Sequence, residues 1–177
     1  MSDELDLIYE RVLVVRCQAG DEAAFAELVE RYGARLRYFL RKLTAADRAD
    51  DLLQDVWLDV LRHLPRLADA QAFRAWVYRI ARDKAFGHLR RSQRTEQPLG
   101  DTDVPDQPDE NGFDEEDAAR IHTALDRLPA EQREVLVLRF VEAMSYEEIA
   151  RASGQPLGTV RSRLFYGKQA LRKLLED

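Results

Sequence analysis

Ser145-Tyr-Glu-Glu-Ile-Ala-Arg-Ala-Ser-Gly-Gln-Pro-Leu-Gly-Thr-Val-Arg-Ser-Arg-Leu164 decides the fold. Ser145 and Glu148 stand at capping-box spacing, where each side chain satisfies a backbone N–H of the other and so starts a helix. Ile149 and Ala150 give that helix a small apolar face. Gly154 accepts the left-handed conformation that closes it. Pro156 suits the first turn of a second helix, where its missing N–H would be unpaired anyway. Val160, Leu164, Leu171 and Leu174 then recur at helical spacing and define a buried stripe. Thr159, Arg161, Ser162, Phe165 and Tyr166 fall largely outside that stripe. Hydroxyl, guanidinium and aromatic groups of this kind meet phosphates, base edges and thymine methyls. Cap, turn and exposed chemistry together predict a helix-turn-helix whose second helix enters a DNA major groove. A helical hairpin packed in a larger bundle is the plainer alternative.

Upstream of this unit the apolar residues keep the helical period. Phe25, Leu28, Val29, Tyr32, Leu36, Phe39, Leu40 and Leu43 share one face of a helix over residues 21–43. A second helix over residues 46–64 turns Leu52, Leu53, Val56, Trp57, Val60 and Leu61 inward, with Pro65 just past its end. A third, over residues 71–91, has Phe73, Val77, Ile80 and Ala81 as its seam, and a shorter one over residues 5–18 packs on these. Nothing alternates with period two, so no sheet is expected. Further helices are predicted over residues 116–128, 130–141, 145–153 and 156–176.

Residues 95–117 differ from their surroundings. They hold Pro98, Pro105, Pro108, Gly100 and Gly112 among Asp and Glu, and such a chain buries too little apolar area to offset its ordering entropy. The expectation is therefore an all-α protein of two helical domains joined by a flexible acidic linker, the C-terminal domain a helix-turn-helix. The boundaries fall at residues 1–94, 95–117 and 118–177.

The net charge of -6 is unusual for a DNA binder until it is resolved along the chain. Residues 62–94 carry 9 basic and 2 acidic groups, whereas residues 95–119 carry 10 acidic groups and no basic one. Nucleic acid responds to the local field, so the basic stretch is a candidate surface. There Arg74, Tyr78, Arg79, Arg82, Lys84, Phe86, Arg90 and Arg91 mix cations with aromatics, which suits a single strand whose phosphates and bases are both in reach. Trp76 alone fits core packing equally well. The acidic linker is expected to fold back on the basic surfaces and weaken DNA binding.

Several classes are set aside. The longest apolar runs, at residues 12–15 and 135–138, are too short to cross a bilayer, and no export leader is evident, so a cytosolic location is expected. Cys17 has no internal disulfide partner and no second Cys for a zinc pair. No nucleotide-binding or hydrolase pattern occurs, and neither cofactor, metal nor catalytic residue is expected. Asp51, Asp55 and Asp59 lie at four-residue steps; the row can hold a divalent cation, as in a nuclease, or present a face to solvent or a basic partner.

The order of three motifs resembles the extracytoplasmic-function group of bacterial RNA polymerase sigma factors. They are Ala49-Asp-Asp-Leu-Leu-Gln-Asp-Val-Trp57, Phe73-Arg-Ala-Trp-Val-Tyr-Arg-Ile-Ala-Arg82, and Leu125-Asp-Arg-Leu-Pro-Ala-Glu-Gln-Arg-Glu-Val-Leu136 leading into the helix-turn-helix. The resemblance covers nearly the whole chain from Asp21 to Leu175. It implies a promoter-directing initiation factor without an active site. The N-terminal domain would melt and read the -10 element, meeting the single strand through Phe73, Arg74, Trp76, Tyr78, Arg79, Arg82, Asp83, Arg90 and Arg91. A loop at residues 64–73 would accept a flipped base. The C-terminal domain would read the -35 element through Thr159, Arg161, Ser162, Phe165 and Tyr166. Asp51, Gln54, Asp55 and Trp57 match the helix that docks on the clamp of the polymerase largest subunit. Implied partners are core RNA polymerase, including the flap of its second-largest subunit, promoter DNA and a cognate anti-sigma protein. The factor itself would be a monomer without membrane insertion.

Two positions depart from the family pattern. Asp83 stands where Asn is frequent, and Gly87, followed by His88, where Asp is frequent. An ionised Asp83 accepts hydrogen bonds only and repels phosphate. A stand-alone helix-turn-helix regulator, binding duplex operator as a dimer without polymerase, is the main alternative. A factor that only sequesters polymerase is another.

Overall fold

The computed structural model describes residues 2–95 and 115–176. It is all-helical among those residues, with helices α1 (Ser2–Gln18), α2 (Glu22–Leu43), α3 (Ala46–His63), α4 (Phe73–Thr95), α5 (Glu115–Asp126), α6 (Ala130–Leu136), α7 (Tyr146–Ser153) and α8 (Leu157–Glu176). Short 3-10 turns at Leu64–Arg66 and Ala70–Ala72 lead from α3 to α4. Most of the expected acidic linker lies outside the described residues. Helix α4 runs to its first residue, Thr95, and α5 starts within its last three.

Local chemistry sets the ends of these helices. Asp21 caps α2 by accepting hydrogen bonds from the Ala23 and Ala24 backbone N–H groups at 3.0 and 3.1 Å. Pro65 stops α3, which gives way to a 3-10 turn there. The N-terminal core forms where α2, α3 and α4 cross. Tyr32, Phe39, Val56, Val60, Phe73, Val77 and Tyr78 are all wholly buried in it. Edge-on ring pairs, Tyr32–Phe73 at 5.5 Å and Phe39–Tyr78 at 5.2 Å, tie α2 to α4. Each such pair adds about 1 kcal/mol beyond the area it buries. The C-terminal core gathers Val135, Leu138, Met144, Ile149, Val160 and Leu164. At Gly167 a side chain would sit 3.2 Å from the Leu136 Cδ1, so a residue without a Cβ lets α8 approach α6.

Two expectations need correction. Leu61, expected inward, is 58% exposed: Val56, Val60 and Leu64 fill the core, and Leu61 lies about 100° around the helix from Val60. The helix expected over residues 130–141 is regular only to Leu136, and Val137–Val141 forms a wide π turn. Ala143, just beyond it, has a φ of 51°.

Candidate nucleic-acid interface

The helix-turn-helix forms as its local sequence dictates. The Ser145 side chain accepts from the Glu148 backbone N–H at 3.1 Å, and the Glu148 carboxylate accepts from the Ser145 backbone N–H at 2.8 Å. Gly154 closes α7 with a φ of 66°. Val160 and Leu164 of α8 are buried, with Leu171 and Leu174 half-buried behind them. On the opposite face Arg161, Ser162, Phe165 and Tyr166 are exposed, and Thr159 is half-exposed at the same end. The Phe165 and Tyr166 rings, 55% and 59% exposed, pack edge-on at 5.3 Å. Two aromatic rings held in water beside a guanidinium form a contact surface that the core does not need.

The expected single-strand set divides in two. Arg79, Asp83, Arg90 and Arg91 are exposed along α4, and Arg74, Trp76 and Arg82 are half-buried. Phe73 and Tyr78 belong to the core instead. Both are wholly buried, because α4 turns them onto Tyr32 and Phe39. Their part is to hold α4 in place rather than to stack on bases in this conformation. Burial and the neighbouring Glu142 carboxylate push the Tyr78 phenol well above its ordinary range.

What faces α4 is the C-terminal unit. Arg82 donates from Nε to the Glu134 carboxylate at 2.7 Å, and its guanidinium lies over the Phe86 ring at 4.5 Å. On α2, Arg35 donates from Nε to Glu142 at 2.9 Å. Burial is the largest single influence on the Arg35 pKa and lowers it, but the charge and hydrogen bond of Glu142, with the Tyr78 and Tyr32 phenols, together outweigh it and raise the value. Nearby, Lys42 pairs with Asp126 at 3.0 Å, Tyr38 meets His122 Nδ1 at 2.6 Å, and Arg133 donates to the Lys42 carbonyl. Glu134 and Glu142 are 0% and 1% exposed. Each gives one oxygen to its arginine, and the Tyr78 phenol lies beside the Glu142 carboxylate.

The acidic row of α3 is not uniform. Asp51, Gln54 and Asp55 are exposed and Trp57 half-buried, with Phe25 edge-on to its ring at 6.0 Å. Asp59 instead pairs with Lys84 of α4 at 2.6 Å, which removes one carboxylate from the row and one cation from the basic face. No group of three or more metal-ligating side chains gathers among the described residues.

Two features escaped sequence reasoning. Gln18 donates to the Leu64 and Leu67 carbonyls at 3.1 and 2.8 Å and so holds the start of the loop between α3 and α4. A groove of about 550 Å³, lined by Ile121, Leu125, Leu136, Phe140, Val141 and Leu171, opens on the C-terminal unit. Phe140 and Val141 are 62% and 51% exposed there. Neither follows from local pattern: a glutamine near a helix end carries no signal, and the apolar run at residues 135–138 reads as core throughout.

Known proteins place these features in a family setting. Residues 28–95 match the family described as Sigma-70 region 2, and residues 118–171 match Sigma-70, region 4. The RNA polymerase sigma-H factor of Pseudomonas aeruginosa is 34% identical over 94% of this chain and 94% of its own length. The ECF RNA polymerase sigma-E factor of Escherichia coli is 30% identical over 97% of this chain and 95% of its own length. Among solved structures, CnrH in complex with the cytosolic domain of CnrY has a TM-score of 0.70 at 27% identity, covering 94% of this chain and 97% of that one. The sigma factor RpoE, in complex with the anti-sigma factor NepR from Bartonella quintana, has a TM-score of 0.75 at 25% identity, covering 86% and 96%.

Proposed function

The chain belongs to the extracytoplasmic-function group of RNA polymerase sigma factors, and from that membership we propose how its parts divide the work of directing transcription to promoters. Sigma factors are non-enzymatic, so the task is recognition and docking rather than catalysis. Residues 118–177 form the unit that reads the -35 element, with Thr159, Arg161, Ser162, Phe165 and Tyr166 on the bases and flanking phosphates. The observation that carries this assignment is the exposed polar and aromatic face of α8 behind a capped, glycine-closed turn. Residues 1–94 form the unit that melts and reads the -10 element. Arg79, Asp83, Arg90 and Arg91 face solvent on α4, and Arg74, Trp76 and Arg82 are half-buried beside them.

Two surfaces serve polymerase. Asp51, Gln54 and Asp55, with the Trp57 edge, suit a basic docking site on the clamp of the largest subunit. The groove at Phe140 and Val141 suits an apolar element, and we assign it to the flap of the second-largest subunit. CnrH and RpoE are each solved with a protein partner, NepR being an anti-sigma factor, and we infer an anti-sigma partner here too. No described helix is long and apolar enough to cross a membrane. We assign the protein to the cytoplasm, where promoter DNA is, and take it to act as a monomer.

The test is transcription. The protein is mixed with core RNA polymerase and fragments of host genomic DNA, and the 5′ ends of the RNA are sequenced. Discrete new start sites sharing two spaced upstream motifs are the expected outcome. No new starts, with polymerase shown active on another initiation factor, would overturn the assignment in favour of a stand-alone regulator or a sequestering protein.

A further inference from the structure

We propose that the outward face of α1 is a docking surface for a second copy of this chain, whose own α1 lies antiparallel against it. The inference goes beyond the sigma assignment and does not depend on it: the pair belongs to the free protein, the monomer to the acting one.

Helix α1 has two apolar faces, and its place in the fold needs only one. The inner face is settled by contacts. Leu13 and Val14 are wholly buried, and α1 packs along α2. Tyr32 of α2 donates to the Glu10 carboxylate at 2.6 Å, and Tyr9 donates to Glu27 of α2 at 3.0 Å. Gln18 fixes the far end of the helix on the Leu64 and Leu67 carbonyls. Leu5, Ile8, Val12 and Val15 stand on the opposite side, and their exposure runs from 46% at Val12 to 65% at Leu5. A roll of α1 that buried these four would bring Leu13 and Val14 into water, so the fold itself cannot cover both faces. A shallow groove of about 310 Å³ runs along the outer one, lined by Ile8, Arg11, Val12, Val15 and Arg16.

Spacing and charge say what fits there. Leu5, Ile8, Val12 and Val15 recur at steps of three, four and three, the period of a seam along which two helices interlock. Glu4 and Arg11 each stand one residue before a seam residue, Leu5 and Val12, and so take the same flank of the helix one heptad apart. In an antiparallel pair each flank meets the same flank of the other copy. When Leu5 of each copy lies on Ile8 of the other, Glu4 of each faces Arg11 of the other, and the two-fold axis makes this attraction twice. Antiparallel helices also set opposite ends of their dipoles together. A parallel pair instead sets the acidic start of the helix, with Asp3, Glu4 and Asp6, beside its own copy. Those same carboxylates oppose an anionic lipid surface as the occupant. Two short helices form a contact at the low end of the size range for protein pairs, so the association is weak and depends on concentration.

The experiment is sedimentation velocity on full-length protein at low salt, from low to high micromolar concentration. The unmodified chain is expected to shift from monomer toward dimer as concentration rises. Arg11→Glu alone and Glu4→Lys alone each set like charges together on both flanks, and each is expected to weaken the pair about tenfold. A one-to-one mixture of the two variants is expected to pair as tightly as the unmodified chain, because opposite charges then meet again on both flanks. Recovery on mixing cannot come from a variant that has failed to fold. An unmodified chain that stays monomeric throughout would overturn the proposal and leave the face to a different protein. A mixture that pairs no better than either variant alone would overturn it too.

Discussion

Glu134 is a carboxylate taken almost wholly out of water. Burial pushes its pKa up to about 7, although Arg82 and Arg163 pull it down and Glu131 adds to the rise. The folded value lies above the ordinary value of 4.5, so between those two values the folded chain holds more of this proton than the unfolded chain does. Stability from this group is thus fully present below about pH 4.5 and is lost as pH rises through about 7, by about 3 kcal/mol in total. Urea unfolding at several pH values checks the slope, and Glu134→Gln should flatten it. Arg161 gives a different prediction, because it faces solvent. Arg161→Ala should weaken binding to a -35 duplex by about 1–3 kcal/mol and relax base choice at one position, with stability unchanged. An equal loss on every sequence would mark it as a phosphate contact only. At this scale the exposure of Arg161, Ser162, Phe165 and Tyr166 was legible, since they fall outside a strong helical stripe. Glu134 was not. It sits among Ala130, Glu131, Gln132 and Arg133 like any surface charge, and only the packing of α6 on α8 and α2, with Arg82 reaching in from α4, buries it.

At the scale of elements, the sequence is most readable where structure is decided locally. The Ser145–Glu148 box and the Gly154 closure were expected from residue types alone and occur as expected. Ser145→Ala removes an acceptor for the Glu148 N–H and should cost about 1 kcal/mol, seen as a lower urea midpoint with unchanged slope. Gly154→Ala should cost at least as much, because an added Cβ is strained at a φ of 66°. Where tertiary packing decides, local reading fails. The run from Val135 to Leu138 predicts continuous helix, yet the backbone widens at Val137 as successive residues take opposite roles: Leu138 enters the core, Phe140 faces the groove and Glu142 returns inward. Likewise Phe73 and Tyr78 have the composition of a base-stacking pair, and nothing nearby in sequence announces that α2 will enclose them.

At the scale of the whole molecule, α4 packs against α7 while one face of α8 stays exposed. The division into two helical units was legible in the composition of residues 95–117, and so was the sign of the charge on each side. The linker was expected to shield the basic surfaces, and its central part lies outside the described residues. Among the described residues, Arg82 and Arg35 meet carboxylates of α6 and of the segment before α7. The π turn carries a last consequence, for inheritance rather than for binding. A π turn holds one more residue than regular helix needs. An in-frame deletion of a single codon among 137–141 would restore the regular repeat and leave Glu142 in phase with Arg35. One codon can therefore be lost from this stretch while the side chains that follow it keep their places.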